Sequence, residues 1–203
     1  YRAHYAMVYN QLTTSIGMHT SAIFGFISSL LKILNDEKPD FLAICSDTKA
    51  PTFRHIRYDA YKANRKAMPK ELSEQVPPLI DFIKSLGITV LQVPEVEADD
   101  VIATVVRQMQ RDHPDVEVKI VSRDKDLTQL LAPGIELLDV HKDAPVTTED
   151  VFKVPGVEPS QVGDVLALMG DTSDNIPGLA GVGPKTATKW LQSYQDVEGV
   201  IEN

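Results

Sequence analysis

Apolar positions in this chain keep two different periods. Between Thr20 and Leu34 they fall at Ile23, Phe24, Ile27, Leu30, Leu31 and Leu34, the three- and four-residue spacing of a helix with one apolar face. The short apolar run Phe41–Cys45 suits a buried strand. A long polar stretch follows, and Pro69 fits the first position of a helix. Val76, Leu79, Ile80, Ile83 and Leu86 then carry helical spacing up to Gly87, a residue type that ends helices. Ile88–Val93 reads as a strand closed by Pro94. Ala98–Arg111 reads as a helix with the stripe Val101, Ile102, Val105, Val106, Met109. Val116–Val121 and Ile135–Val140 read as strands on either side of a short helix, Lys125–Leu131. Strands alternating with helices imply right-handed βαβ units. The pattern therefore predicts an α/β domain over residues 1–147, a mostly parallel sheet with helices on both faces. After residue 147 strands give way to short helical pieces broken by Pro155, Pro159, Pro177 and Pro184, so a small all-helical lobe is expected over 148–203.

Charge changes this picture through its distribution. The 203 residues carry a net charge of −9, which by itself disfavours phosphate-rich partners. Residues 48–70, however, hold Lys49, Arg54, Arg57, Lys62, Arg65, Lys66 and Lys70 against Asp59 alone, a net of +6 that leaves −15 for the rest. A basic segment beside an acidic remainder suits a metal-dependent phosphodiesterase; a solvated polar loop is the plainer account. Cys45, the one cysteine, lies beside an apolar run and reads as a core residue of a protein from a reducing cytoplasm. No apolar run is long enough to span a membrane, and no signal peptide is visible.

The acids are placed by the strands. Ligands of open α/β sheets bind beyond the carboxyl ends of the strands. Asp47 follows the first strand, Glu97 the second and Asp124 the third, so these acids are expected on one edge. Glu97-Ala98-Asp99-Asp100 opens a helix, where a carboxylate is favoured by the helix dipole. Either capping or metal binding accounts for that tetrad taken alone. Together with Asp47, Asp124 and Asp126, the excess of hard oxygen donors points to Mg²⁺ or Mn²⁺. Zinc-type Cys/His spacing, a phosphate-binding P-loop and a dinucleotide loop are all missing from the sequence. Two-metal hydrolysis is the chemistry that remains.

Leu179-Ala180-Gly181-Val182-Gly183-Pro184-Lys185-Thr186-Ala187 has the form of a helix–hairpin–helix. Its glycines permit a tight turn whose N–H groups meet a phosphate at a helix N-terminus, with Gly181, Gly183, Lys185 and Thr186 as the contact residues. A purely structural turn is the alternative.

Several runs, in order, resemble one family. They are Tyr1-Arg2-Ala3, Ser46-Asp47-Thr48-Lys49-Ala50-Pro51-Thr52-Phe53-Arg54-His55, Tyr61-Lys62-Ala63-Asn64-Arg65, Val96-Glu97-Ala98-Asp99-Asp100-Val101, Asp124-Lys125-Asp126-Leu127 and Gly170-Asp171-Thr172-Ser173-Asp174-Asn175-Ile176-Pro177-Gly178, followed by the hairpin. The chain resembles the 5′-nuclease domain of bacterial DNA polymerase I, in the flap endonuclease superfamily with its PIN-like fold. The resemblance implies a first metal held by Asp47, Glu97, Asp99 and Asp100, and a second held by Asp124, Asp126, Asp171 and Asp174. It implies that Tyr61, Lys62 and Arg65 belong to a helical arch met by the 5′ single strand, with Arg54 nearby. Lys62 and Arg65, three apart, would share a helix face and offset charge at the scissile phosphate.

The same resemblance implies a monomer in the bacterial cytoplasm at the nucleoid, two Mg²⁺ or Mn²⁺ ions and a monovalent cation at the hairpin. The substrate would be DNA with a 5′ flap or a 5′ end at a junction, and no membrane is involved. Family members start with an apolar strand ending in Asp-Gly before the Tyr-Arg-Ala run, and continue past the point matching Asn203, often into a polymerase. An excerpt is therefore expected, its first metal site short of one Asp. Two other readings stand beside the nuclease: a DNA-junction binding module without chemistry, and a PIN-type ribonuclease.

Overall fold

A computed structural model of the protein describes residues 12–140, 142 and 144–203; the Tyr1-Arg2-Ala3 run lies outside them. The helices are α1 Ser21–Asp36, α2 Phe53–Arg57, α3 Lys70–Ser73, α4 Val76–Ser85, α5 Ala98–Asp112, α6 Thr148–Phe152, α7 Val162–Met169, α8 Pro184–Tyr194 and α9 Val197–Glu202. The strands are β1 Ala43–Cys45, β2 Thr89–Leu91, β3 Val118–Val121, β4 Ile135–Asp139 and β5 Ala144–Pro145, with 3₁₀ helices at Lys125–Leu130 and Pro159–Gln161. The chain divides into two compact units, residues 1–46 with 66–92, and residues 47–65 with 93–203. The α/β class expected from the apolar pattern is what forms.

In the first unit β1 and β2 pair in parallel, Ala43 opposite Thr89 and Cys45 opposite Leu91. Thr20 precedes helix α1 at the N-cap position, and its side chain caps nothing. The first N–H groups of a helix have no partner within it, and Gln75 supplies one from 53 positions away. Its Oε1 accepts from the N–H of Ala22 at 2.9 Å and of Ile23 at 3.3 Å, while its Nε2 donates to Glu71 O at 2.7 Å. Gln75 is fully buried, its amide satisfied at both ends. Helix α4 ends before Gly87, whose φ of +76° suits a residue without Cβ.

The second unit carries the remaining strands. β3 and β4 pair in parallel, Val118 opposite Ile135 and Val121 opposite Leu138. The two-residue β5 adds antiparallel to β4, a strand the apolar pattern does not predict. Strands alternate their faces, and in β4 Ile135, Leu137 and Asp139 turn inward. Val106 of α5, Ile120 of β3, Leu127 and Leu130 of the 3₁₀ helix, and Ile135 and Leu137 of β4 form one core. Burying each of these aliphatic side chains contributes about 1.5–3 kcal/mol. A second core lies in the helical lobe, where Phe152, Val157, Val162, Val165 and Leu168 meet Ala187 and Leu191 of α8. As expected, Pro184 opens α8, with Gly183 as N-cap. Among the described residues no helix is long and apolar enough to cross a membrane.

Candidate active site

The acids are brought together by three local devices in the second unit. At the start of α5 Glu97 is the N-cap, and its N–H donates to Asp100 Oδ2 at 2.9 Å. The next N–H, of Ala98, donates to Asp47 Oδ1 at 2.8 Å. Capping thus fixes Asp47 and Asp100 against the same helix end. At the end of β3 Asp124 caps the 3₁₀ helix by accepting from Asp126 N at 3.2 Å. The third device is the loop 170–178. Asp171 and Ile176 exchange backbone hydrogen bonds of 2.9 and 2.8 Å, and Gly170 lies backbone to backbone with Gly178. Gly178 has φ +62°, and a Cβ there would overlap Met169 and Gly170 main chain. The glycines let the loop close tightly enough to aim Asp171 and Asp174 inward. Asp126, Asp171 and Asp174 each present an oxygen within 4.8 Å of the others.

The basic segment lies against these acids. Arg54 grips Asp100 with two bonds of 2.7 Å, the fork-on-fork geometry in which guanidinium and carboxylate match. Lys62 Nζ bonds Glu97 Oε1 and stands 3.7 Å from Asp174 Oδ2. Arg65 reaches Asp174 Oδ1 at 2.6 Å. The buried Tyr61 hydroxyl lies 2.8 Å from Glu97 Oε2 and 2.9 Å from Asp174 Oδ2. Asn64 and Arg65 also donate to the carbonyls of Thr172 and Ser173, and Asn175 donates to Ala60 O.

One expectation is corrected here. Residues 59–64 form successive turns, not a helix, because Lys62 adopts φ +56°, outside the helical region. Lys62 and Arg65 converge through their common partner Asp174 instead of through a shared helix face. Tyr61 is 6% exposed and turns its hydroxyl to the acids.

Titration separates the carboxylates. Arg54, outweighing partial burial, holds Asp100 below the usual range. Burial works against ionised Glu97, but Lys62 and Tyr61 outweigh it and the pKa falls. Burial likewise opposes Asp171, and the Lys125 ammonium at 2.7 Å, with the Ser173 N–H, overcomes it. Asp99 goes the other way, raised to about 6 by burial and by Asp124, Asp47, Glu97 and Asp126. Asp126 is also raised to about 6, by burial and Asp124 first, with Lys125 only partly compensating. Asp126 Oδ1 is buried without any hydrogen-bond partner. An orphaned buried oxygen among like charges is what a hard divalent cation satisfies, so the donor set at Asp126, Asp171 and Asp174 fits a metal. Of the four residues expected at the first metal, Glu97 and Asp100 have cations as partners, and Asp99 stands among Asp124, Asp47, Glu97 and Asp126.

With this geometry in view, comparison with known families is decisive. Residues 1–156 match the 5′-3′ exonuclease N-terminal resolvase-like domain, and residues 157–203 its C-terminal SAM fold. The chain belongs to the 5′-3′ exonuclease family. Over its full length it is 40% identical to the 5′-3′ exonuclease of Aquifex aeolicus, spanning 69% of that protein. It is 39% identical to DNA polymerase I of Bacillus subtilis and spans 23% of that longer chain. The T5 D15 protein, co-crystallised with metal ions, shares the fold at 22% identity and a TM-score of 0.75, over 89% of this chain and 71% of that one. The catalytic core of Rad2 in complex with DNA aligns at 16% identity and a TM-score of 0.61, over 97% of this chain and 60% of that one.

Within this exonuclease-family chain, sequence reasoning passed over three participants. Lys125 reads as a spacer between two acids, yet it enters the acid group. Asn64 and Asn175 stitch the turns at 59–64 to the loop at 171–175. Their only sequence signal is position inside the family runs. At the hairpin, Gly181 takes φ +79° and Lys185 is exposed on the first turn of α8.

Proposed function

We propose that this chain carries the centre of a structure-selective 5′→3′ exonuclease and flap endonuclease that hydrolyses DNA phosphodiesters with two Mg²⁺ or Mn²⁺ ions. The observation that carries this reading is the Asp126–Asp171–Asp174 group with its orphaned, buried Asp126 oxygen. Asp124, Asp126, Asp171 and Asp174 would hold one ion, and Asp47, Glu97, Asp99 and Asp100 the other. Bound there, the ions supply an activated water and charge for the leaving oxygen.

The chain's own residues have distinct tasks. Asp99 and Asp126, whose negative charge is the least compensated, offer ligand oxygens. Lys62 and Arg65 sit on the carboxylates as counter-charges, and a substrate phosphate arriving with its ions would replace those carboxylates as their partner. Arg54 keeps Asp100 oriented at the helix end. Around the N-terminus of α8, the Gly181–Gly183 turn and Lys185 present N–H groups and charge to a duplex backbone. These contacts ignore base sequence, so selectivity would come from the shape of the junction.

The test uses the full protein chain and a 5′-flap DNA duplex. Mg²⁺-dependent release of the flap is expected, abolished by EDTA and by Asp171→Ala. Undiminished cleavage by Asp171→Ala and Asp124→Ala would overturn the ion assignment. Binding without cleavage in Mg²⁺ would establish a junction-binding module instead, and preference for an RNA flap a ribonuclease.

A further inference from the structure

Tyr61 stands where the two proposed ion sites meet. Its hydroxyl oxygen lies 2.8 Å from Glu97 Oε2, assigned to one ion, and 2.9 Å from Asp174 Oδ2, assigned to the other. A phenol carries one proton, so it donates to one carboxylate at a time while both stay within reach. Lys62 completes the bridge, bonding Glu97 Oε1, standing 3.7 Å from Asp174 Oδ2 and 4.7 Å above the Tyr61 ring.

The phenol has little freedom to leave this position. The His55 ring meets it edge-on at 5.3 Å, and His55 is itself fixed by Thr52 through bonds of 3.1 and 2.9 Å. The Tyr61 N–H donates to Tyr58 O at 2.9 Å, and the next N–H, of Lys62, to Asp174 O at 3.0 Å. The ring is buried, so the hydroxyl is held against the two carboxylates.

We propose that Tyr61 is a positioning residue that ties Glu97 to Asp174, so that one hydroxyl orients ligands of both ions and sets the affinity of both binding steps. This rests on the two-ion reading above. Groups that orient ligands from behind typically change metal affinity about 10–100-fold when removed. A group behind one carboxylate shifts one step; a shared hydroxyl shifts both.

The experiment is calorimetric titration of the DNA-free full-length protein with Mn²⁺, wild type against Tyr61→Phe. Phenylalanine keeps the ring and loses only the bridge. About 10–100-fold weaker binding in both steps is expected. Unchanged ion binding, or a change confined to one step, overturns the proposal, as does loss of DNA affinity with ion binding intact. Should Tyr61→Phe fold poorly, 3-fluorotyrosine at position 61 gives an independent reading. Its fluorine resonance should move in both binding steps, and a response to only one or neither counts against the bridge. A wild-type protein that takes up no Mn²⁺ fails the two-ion reading itself, which is distinct from wild-type and Tyr61→Phe proteins binding alike.

Discussion

Two populations of carboxylate share this acid cluster. Glu97, Asp100 and Asp171 each have a cation within bonding distance and titrate below their ordinary range. Asp99 and Asp126 stand among other acids and are pushed up to about 6. Burial opposes ionisation in both groups, so burial alone does not separate them. The difference lies in the neighbours: Arg54, Lys62 and Lys125 serve the first population, and the second lacks an equivalent. Unbalanced negative charge is thereby concentrated at two positions. That is a poor arrangement for stability and a good one for capturing divalent cations.

The largest expected effect breaks the uncompensated half. Asp126→Asn should lower Mg²⁺-dependent flap cleavage by at least about 10³-fold, since an ion contributes several kcal/mol of transition-state charge stabilisation. In EDTA the same variant should melt higher than wild type, because it removes a half-buried charge that Lys125 balances only in part. Asp100→Ala should do the opposite in EDTA. It strands Arg54, and the pair is partly exposed, so a loss of about 1–2 kcal/mol is expected, read as a melting temperature lower by roughly 2–8 °C. Equal and same-signed shifts in the two variants would erase the distinction between the populations.

Next comes the loop that aims Asp171 and Asp174. Gly178→Ala requires a left-handed backbone and collides with Met169 and Gly170 main chain. Strain of about 1–3 kcal/mol should appear in the melting temperature together with weaker Mn²⁺ binding. A normal Mn²⁺ isotherm in this variant would show that loop closure does not place Asp171 and Asp174.

How much of this could be read from residues alone varies by element. Helix α5 was visible to within a residue, because its apolar stripe and acidic start agree. The hairpin was visible because Gly-Val-Gly-Pro marks both the turn and the helix start. The acids were visible as types and positions following strands. Their partners were not, since Lys125 reaching Asp171 and Tyr61 lying between Glu97 and Asp174 are contacts between segments far apart in the chain. Gln75 capping α1 from 53 positions away has no local signal either. The turns at 59–64 were mistaken for helix because Lys62 takes a backbone conformation that its residue type rarely adopts. Strands came out shorter than their apolar runs: Phe41 and Val93 extend the pattern but stay exposed, unpaired by a neighbouring strand.

A pH titration of the metal-free protein sharpens the same comparison with a smaller effect. Asp99 and Asp126 bind protons more tightly when folded than when unfolded, so folding takes up protons between the ordinary aspartate value of 3.8 and about 6. Where the native state binds more protons, stability falls as pH rises. In EDTA the melting temperature should therefore decline from about pH 4 to about pH 6 on account of these two acids. The lowered pKa values of Glu97, Asp100 and Asp171 act at more acidic pH, where stability is lost as pH falls. Mn²⁺ competes with protons for the ligands, so its stabilising effect should grow across the interval from about pH 4 to about pH 6. Parallel melting curves with and without Mn²⁺ would contradict this.

Lys125 yields the smallest effect and the finest discrimination. Its ammonium stands 2.7 Å from Asp171 Oδ2 and 3.9 Å from Asp126 Oδ1, within the group that fits a divalent ion. It therefore competes with the ion for Asp171, while its backbone between Asp124 and Asp126 keeps it close. Partly exposed ion pairs contribute up to about 1 kcal/mol, so Lys125→Met should tighten Mn²⁺ binding about two- to five-fold at that site. Lys125→Arg keeps the charge and should restore wild-type affinity. In EDTA, Lys125→Met should melt lower than wild type, because Asp171 then joins the uncompensated population. Weaker Mn²⁺ binding by Lys125→Met would mean that the ammonium orients Asp171 for the ion instead of competing with it. Asp171 would then owe its competence to a neighbour that the comparison counts only as a counter-charge.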